Sequence, residues 1–327
     1  MRILVSEHTY DEYGSMVRQA APDTDFVLFR DDGTVRTERG VLLSPAADAF
    51  EVAWATHDLF VGDGYRAFFR LLDASTTVRW VQSPGAGVDA PTFRSLIDRG
   101  VRLTTSHVTS IPISEFVIRS VLDVFQRPAE WAAVRAARRW DHHTFREVFG
   151  TTWLLVGLGA IGADVAIRAR AFGARVVGCR RHPTGDEPVD EMILPAGLLA
   201  TIGTADVVVL AAPSTAETHH VIDGAALAAM KEGSVLVNVA RGSLVDEAAL
   251  LKALDAGRPA AAVLDAVARE PPGDDSPLWD HPQVVLTPHN SFAGEGSTPR
   301  NAELFVTNLG RYTGGDKLIN EEPPRLR

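Results

Sequence analysis

The chain has a single cysteine, Cys179, among its 327 residues. One thiol excludes an internal disulfide framework and a cysteine-rich zinc site, and no metal is expected. Basic residues number 32 against 42 acidic ones, so the basic face that binds nucleic acid is not expected. No apolar run reaches the length of a membrane span, and the N-terminus does not resemble a signal peptide. These absences predict a soluble, cytoplasmic protein that engages neither nucleic acid nor membranes.

What the chain does contain is the composition of a globular protein, with 46% hydrophobic and 23% charged residues. Its length favours two domains. From the middle of the chain onward, short apolar runs alternate with helical-looking segments, as expected for strands buried on both faces of a parallel sheet. These runs are residues 152–156, 175–178, 206–210, 234–238, 261–264 and 284–287. The alternation predicts a doubly wound α/β domain with six strands.

The first hundred residues show a weaker form of the same rhythm, which predicts a second, smaller α/β domain. Its candidate strands are residues 3–5, 26–29, 41–43 and 78–81. Residues 114–125 are apolar on nearly every side, which predicts a helix buried between domains or in a subunit interface. The apolar spacing in residues 303–310 predicts a further amphipathic helix, which we expect to pack on the first domain.

A glycine-rich motif lies at residues 157–162, between a predicted strand and a predicted helix. Gly157 permits a tight turn, Gly159 lets the backbone approach a pyrophosphate, and Gly162 permits close packing of helix on strand. A helix is predicted at residues 162–172, and its N-terminal N–H groups attract an anion. Ala160 and Ile161, within the motif, are further candidate cofactor-binding residues. The context predicts a dinucleotide-binding loop; the alternative is a tight turn with no ligand. The Gly-Lys-Ser/Thr ending of phosphate-loop proteins does not occur in the chain.

The end of the next strand indicates which dinucleotide fits. A carboxylate there would accept hydrogen bonds from the adenosine ribose, but residues 177–183 contain no acid. Arg180 and Arg181 offer two guanidinium groups for a 2′-phosphate instead. We therefore expect NADP(H) to be preferred, with NAD(H) possible; the alternative is two solvated arginines at a sheet end.

Three later strands are each followed by a residue suited to carbonyl chemistry, at the sheet edge where open α/β sheets bind ligands. Arg241 can hold a carboxylate and polarise a carbonyl through its rigid fork. His289 can exchange a proton with the substrate oxygen. Glu270 can orient the imidazole and favour its protonated form. Taken singly, each residue also has a purely structural interpretation. Arg241 would then be an arginine at a sheet edge, Glu270 a charged loop residue and His289 a buried, hydrogen-bonded imidazole.

In these motifs the chain resembles the D-isomer-specific 2-hydroxyacid dehydrogenases, which include reductases of glyoxylate and hydroxypyruvate. The resemblance extends from about residue 81 to residue 308. Besides the glycine loop, it rests on residues 82–89, residues 114–116, Pro213 with Glu217 and Thr218, residues 241–250, Glu270 with Pro271, and Thr287 to His289. The first 75 residues match no subgroup, so the substrate stays open.

The resemblance implies that Arg241, Glu270 and His289 are catalytic and that the backbone at Ala86 and Gly87 binds the substrate carboxylate. It implies a Rossmann-type nucleotide domain at residues 106–290, inserted into a flavodoxin-like substrate domain formed by residues 1–105 and 291–327. A homodimer formed through the nucleotide domain, including residues 114–140, is also implied. The further cofactor-binding residues that it implies are Ala212, Pro213, Thr218, Val239, Ala240 and Asp265.

The sequence therefore predicts an oxidoreductase that transfers hydride between NADP(H) and a 2-keto acid/D-2-hydroxy acid pair. His289 is the expected general acid and base, and Arg241 is expected to hold the carboxylate. One alternative within the same fold is oxidation of a non-hydroxyacid anion such as formate or phosphite. Another is a dinucleotide-sensing, corepressor-like binding protein.

Overall fold

The structure is a computed structural model that describes residues 1–44, 48–61, 64–88 and 91–323, with the side chains of residues 60 and 61 left out. The chain forms two compact units. The first contains Met1–Thr109 and Glu295–Arg327, and the second contains Ser110–Gly294.

The first unit is built on a six-stranded sheet. Its strands are β1 Arg2–Ser6, β2 Asp25–Phe29, β3 Val35–Thr37, β4 Val52–Trp54, β5 Trp80–Gln82 and β6 Arg102–Thr104. The helices between them are α1 Glu7–Ala20, α2 Asp58–Val61, α3 Gly64–Ala74 and α4 Pro91–Asp98. The strand order is β3-β2-β1-β4-β5-β6, and β3 alone runs antiparallel to its neighbour. The parallel strands are almost wholly buried, because helices cover both faces of the sheet.

The second unit begins with helices α5 Ser110–Gln126 and α6 Pro128–Ala136 and contains a seven-stranded sheet. Its strands are β7 Thr152–Val156, β8 Arg175–Cys179, β9 Glu191–Ile193, β10 Val207–Leu210, β11 Val235–Asn238, β12 Ala261–Leu264 and β13 Val284–Leu286. Its other helices are α7 Ala160–Ala171, α8 Leu198–Ile202, α9 Gly224–Ala229 and α10 Glu247–Asp255. Helix α11, Ser297–Gly314, returns to the first unit, where Trp54 stacks on Phe305 at 4.3 Å.

The seven strands are all parallel, in the order β13-β12-β11-β10-β7-β8-β9. Leu210 pairs with Val156 on one side and with Asn238 on the other, and Asn238 pairs with Leu264. The carboxyl ends of β7, β10, β11 and β12 therefore lie level along one edge. The chain leaves β7 toward β8 and returns to β10 on its other side, so this edge contains the switch point where such sheets bind ligands.

The doubly wound parallel fold is confirmed, but the strand predictions need correction. Residues 41–43 are not a strand: Leu42 makes one isolated bridge to Arg36, and the strand beside β2 is β3. Strands β4, β6 and β9, of three residues each, were not predicted, and β9 gives the nucleotide sheet seven strands instead of six. Short strands lack the length over which a buried run becomes recognisable.

The apolar helix predicted at residues 114–125 is α5, and its apolar side packs within its own unit. Val117, Val121 and Phe125 form one buried cluster with Val165 and Ala169 of α7. Packing on α7 and the sheet therefore accounts for much of the apolar surface that had suggested a domain or subunit interface.

Within the described residues, no helix is both long and apolar enough to cross a membrane. The same part of the chain holds no cluster of three or more His, Cys, Asp or Glu side chains arranged to bind a metal ion.

Candidate active site

The glycine loop joins β7 to α7 at the switch point. Gly157 has φ +99°, and a Cβ there would lie 2.5 Å from the backbone nitrogen of Ala212. A Cβ on Gly162 would lie 2.1 Å from the Gly157 carbonyl oxygen. Both positions therefore exclude a side chain, one by conformation and contact and the other by contact alone. Gly159 differs, because nothing lies within 4 Å of a Cβ built there and the residue is exposed.

This open space precedes Ala160 and Ile161, the first residues of α7, whose N-terminal N–H groups point out of the helix. A surface without side chains beside a helix N-terminus fits the pyrophosphate of a dinucleotide. The residues of this loop therefore fit the dinucleotide pyrophosphate that the glycine motif predicts.

The other predicted cofactor residues lie along the same edge. Ala212, Val239 and Ala240 are buried directly after β10 and β11. Pro213 is exposed, and its carbonyl accepts a 2.7 Å hydrogen bond from the Thr218 hydroxyl. The Thr218 oxygen also accepts the Thr215 N–H at 2.8 Å, so this hydroxyl closes the turn that follows β10.

Glu270 and His289 are brought together by the loops that follow β12 and β13. His289 Nδ1 lies 2.7 Å from Glu270 Oε2, and Glu270 Oε1 accepts the Val267 N–H at 3.1 Å. The hydrogen bond that His289 donates to Glu270 raises the pKa of His289, aided by the charges of Glu270 and Asp265 and opposed by burial and by the charge of Arg241. Burial opposes ionisation of Glu270, yet the hydrogen bond and charge of His289 outweigh it and lower the Glu270 pKa. The pair thus favours imidazolium beside carboxylate.

Arg241 follows β11 and is brought to the same place, since its charge acts on the pKa of both Glu270 and His289. Its backbone is extended, and one guanidinium nitrogen donates to the Ala240 carbonyl at 2.8 Å. The next residue, Gly242, leaves no room for a Cβ, which would lie 1.9 Å from the carbonyl carbon of Val267. The loop of Arg241 therefore packs backbone to backbone on the loop that ends at Glu270.

Asp265 was predicted to bind the cofactor, and the structure shows a further task for it. Its carboxylate is 2% exposed and accepts hydrogen bonds from the Thr287 hydroxyl at 2.7 Å and from the N–H groups of Asn290 and Ser291 at 3.0 and 3.1 Å. The residues that make these contacts precede and follow His289 in the sequence. Asp265 thus fixes the loop that carries the imidazole.

Two further positioning residues were not identified from the sequence. The Asn238 amide is fully buried and donates to the carbonyls of Arg241 and Ala266 at 2.9 and 3.2 Å, which links the Arg241 loop to the segment after β12. The Glu247 carboxylate accepts the N–H of Ala268, two residues before Glu270. Asn238 could have been found from the sequence, because it is a single polar residue at the end of an otherwise apolar strand.

The two arginines predicted to bind the cofactor are ion-paired in the structure. Arg180 and Arg181 follow β8 as expected, but each already has an acidic partner. Arg180 Nη1 lies 3.0 Å from Glu187 Oε1, and Arg181 Nη1 lies 3.8 Å from Glu217 Oε2. The loop therefore offers less net positive charge than two unpaired arginines would.

Ala86 and Gly87 lie in the first unit, in the loop after β5. The Gly85 carbonyl accepts the Ser106 N–H at 3.0 Å, and the Gly85 N–H donates to Ser83 Oγ at 3.3 Å. Ala86 itself is exposed. The loop is thus anchored just before the two residues whose backbone was predicted to bind a carboxylate.

Known proteins share this architecture. The family model for the NAD-binding domain of D-isomer specific 2-hydroxyacid dehydrogenase matches residues 118–291. Glyoxylate reductase of Thermococcus gammatolerans is 32% identical over 274 residues, which cover 79% of this chain and 80% of that protein.

Solved structures agree with the sequence comparison. A D-isomer specific 2-hydroxyacid dehydrogenase family protein from Aeromonas salmonicida has 27% identity and a TM-score of 0.81, covering 99% of both chains. The enzyme from Xanthobacter autotrophicus, solved with NADPH and MES, has 26% identity and a TM-score of 0.76, covering 99% of this chain and 98% of that one. The chain belongs to the D-isomer specific 2-hydroxyacid dehydrogenase family and is an NAD(P)-dependent oxidoreductase.

Proposed function

We propose that this enzyme reduces a 2-keto acid to the D-2-hydroxy acid, with His289 as the general acid. The observation that carries the proposal is the 2.7 Å contact between His289 Nδ1 and Glu270 Oε2. Because Nδ1 is engaged by Glu270, the proton that the ring exchanges with substrate is on Nε2. Glu270 keeps the ring oriented and protonated, which a donor to a ketone oxygen requires. In the reverse direction the same nitrogen, once neutral, accepts the hydroxyl proton.

Arg241 holds the substrate carboxylate through its guanidinium fork in this proposal. Two parallel N–H donors suit a planar carboxylate better than a single ammonium does. Its charge lowers the His289 pKa while Glu270 raises it, and a bound carboxylate would neutralise Arg241. Substrate binding would therefore favour the imidazolium just when a proton donor is needed.

The nicotinamide dinucleotide supplies or accepts the hydride when it is bound. Gly157, Gly159 and Gly162 would hold its pyrophosphate against the start of α7. We propose that NADP(H) is preferred over NAD(H), supported by two arginines after β8 and by a strand end with no carboxylate. The NADPH in the Xanthobacter relative is consistent with this choice.

The loop at Ala86 and Gly87 completes the proposal for substrate binding. Its backbone N–H groups would bind the substrate carboxylate, since a loop anchored by Ser83 and Ser106 presents them at little entropic cost. The proposal therefore gives the first unit, which contains this loop, the role of substrate domain.

We also propose that the enzyme is a homodimer formed through the nucleotide domain, including residues 114–140, and that residues 127–149 supply its exposed apolar surface. Helix α6 has no buried residue, and the segment exposes four large apolar side chains. These are Trp131, Trp140, Phe145 and Phe149, which are 40%, 90%, 46% and 76% exposed. Exposed aromatic patches of this kind mark protein interfaces. Sedimentation should give a dimer, and Trp140→Glu should shift it toward monomer; a monomeric parent protein would refute this assembly.

The reaction is tested by following NADPH and NADH consumption with a graded panel of 2-keto acids, using the parent enzyme and His289→Asn. We expect turnover with NADPH, and a loss of about 10²–10⁴-fold in kcat for His289→Asn, which is the usual contribution of a general acid. His8→Asn, at an exposed histidine of α1, is the matched control and should keep full activity. Unchanged turnover in His289→Asn would remove that residue from the role.

A further inference from the structure

The loop that follows β8 contains an anion-binding cradle that is filled by one of its own side chains. The carboxylate of Glu187 accepts the backbone N–H of Thr184 at 2.7 Å and that of Gly185 at 2.9 Å. The Arg180 guanidinium completes the cradle at 3.0 Å. The Glu187 side chain is only 7% exposed, so the carboxylate is enclosed by its donors.

These donors are the groups that proteins use to bind a phosphate: consecutive backbone N–H groups in a turn and an arginine. Gly185 has φ +90°, a conformation that favours glycine and that orients its N–H toward the carboxylate. The Thr184 N–H, followed by that of Gly185, lowers the pKa of Glu187 to about 2. Glu187 is therefore an anion at neutral pH.

The two arginines of this loop are paired very differently. Arg180 contacts the Glu187 carboxylate, which the N–H groups of Thr184 and Gly185 also hold in place. Arg181 lies 3.8 Å from Glu217, and both of these side chains are more than half exposed. An exposed pair of this kind is weak and exchanges partners easily. Arg181 can therefore bind an incoming anion, whereas much of the charge of Arg180 is cancelled by Glu187.

We propose that Glu187 is a specificity-determining residue that limits the preference of the enzyme for a 2′-phosphorylated dinucleotide. Its carboxylate neutralises the charge of Arg180 and fixes the position of that side chain. Arg181 therefore supplies most of the attraction for the 2′-phosphate. The inference rests on the proposed dinucleotide site, because the loop after the second strand of such a sheet meets the adenosine ribose. It does not require that the parent enzyme prefer NADP(H), since it concerns the change that follows removal of one charge.

The test compares the dissociation constants of NADP⁺ and NAD⁺, measured by titration calorimetry, for the parent enzyme and Glu187→Gln. Removing one negative charge close to a dianion should tighten NADP⁺ binding about fivefold to tenfold at low salt, by Coulomb attraction. NAD⁺ has no 2′-phosphate, so its binding should stay within about twofold. The gain should shrink at high salt, because the charges are partly exposed to solvent.

The matched control is Glu191→Gln, which removes the same charge from an exposed ion pair with Arg175 at the start of β8. It should leave the ratio of the two dissociation constants unchanged. Glu187→Ser makes the same charge change without an isosteric side chain and should act in the same direction as Glu187→Gln.

Three results would overturn the inference: equal weakening of both dinucleotides, no change in the ratio, or failure of both Glu187 variants to fold. Each of these results would mean that Glu187 only stabilises the loop and does not affect the choice of dinucleotide. Failure of the proposed NADP(H) preference appears separately, as a parent enzyme that binds NAD⁺ as tightly as NADP⁺ and an Arg181→Met variant that changes neither constant.

Discussion

Replacing Glu270 by glutamine separates the charge of this residue from its shape. Glutamine preserves a hydrogen-bonding oxygen for His289 but removes the negative charge that raises the His289 pKa. In the proposed reduction the imidazolium of His289 is the reactive form, so activity should fall as pH rises through that pKa. In Glu270→Gln the pKa is lower, and the fall should begin at lower pH. Oxidation requires neutral imidazole and should become active at lower pH in the variant.

The size of the effect follows from the geometry of the pair. The contact is short, 2.7 Å, but the side chains of His289 and Glu270 are 36% and 40% exposed, so solvent screens it substantially. A hydrogen bond to a charged group contributes about 1.5–3 kcal/mol when protected, and an exposed ion pair about 0.2–1 kcal/mol. We take about 1 kcal/mol for this half-buried pair, which corresponds to a change of about fivefold in the imidazolium population.

The assay is kcat/KM for the 2-keto acid from pH 5 to pH 9. Above the pKa of both proteins Glu270→Gln should be about fivefold slower, and at the acidic end the two should converge, since His289 is protonated in both. Glu232→Gln, which removes an exposed carboxylate paired with Arg258, controls for net charge. An unshifted profile, a shift to higher pH, or an equal loss at every pH would refute the reasoning; the last result would mean that Glu270 acts by orientation alone.

Three further substitutions test the parts of the site separately. Arg241→Lys keeps the charge but loses the fork, so it should raise KM, lower kcat and reduce kcat/KM by at least about tenfold; unchanged kinetics would exclude bidentate binding. Asn238→Leu leaves the carbonyls of Arg241 and Ala266 without their donor, and urea unfolding should show a loss of about 1–3 kcal/mol per carbonyl. An unchanged midpoint would contradict this. Gly157→Ala should lower the Tm, since a Cβ there meets backbone at 2.5 Å, whereas Gly159→Ala should keep the Tm and weaken dinucleotide binding. Equal stability of the two glycine variants would refute that division.

The strands that the sequence predicted best are those that are buried along all or almost all of their length. The runs at residues 152–156 and 261–264 coincide with β7 and β12, because a central parallel strand needs apolar residues on both faces. Strand β9 escaped prediction because it lies at the sheet edge, where Glu191 is exposed and its neighbours are half-buried. Burial creates the pattern, so an element with little burial leaves little trace in the sequence.

Contacts between loops were less accessible than the strands. Arg180 seemed available for a ligand because residues 177–183 contain no acid, yet Glu187 reaches back to it across a turn at Gly185. That contact depends on the conformation of the eleven-residue connection between β8 and β9 and not on any periodic pattern. The positions of Arg241, Glu270 and His289 were predictable because each lies in the loop that follows a strand of one sheet, and the parallel pairing aligns the ends of these strands.

The precision of the site comes from polar groups that were buried at the ends of these strands. Arg241, Glu270 and His289 lie on three separate loops, and loops alone would not hold His289 at 2.7 Å from Glu270 or keep the charge of Arg241 close to both. Asn238 ties the first loop to the segment after β12, and Asp265 ties the third loop to the same segment. Burying an amide and a carboxylate is costly unless their hydrogen bonds are satisfied, and here the backbone of the loops supplies the partners. The segment that follows β12 and leads to Glu270 is therefore the common anchor, and movement of either neighbouring loop would break a buried hydrogen bond to it.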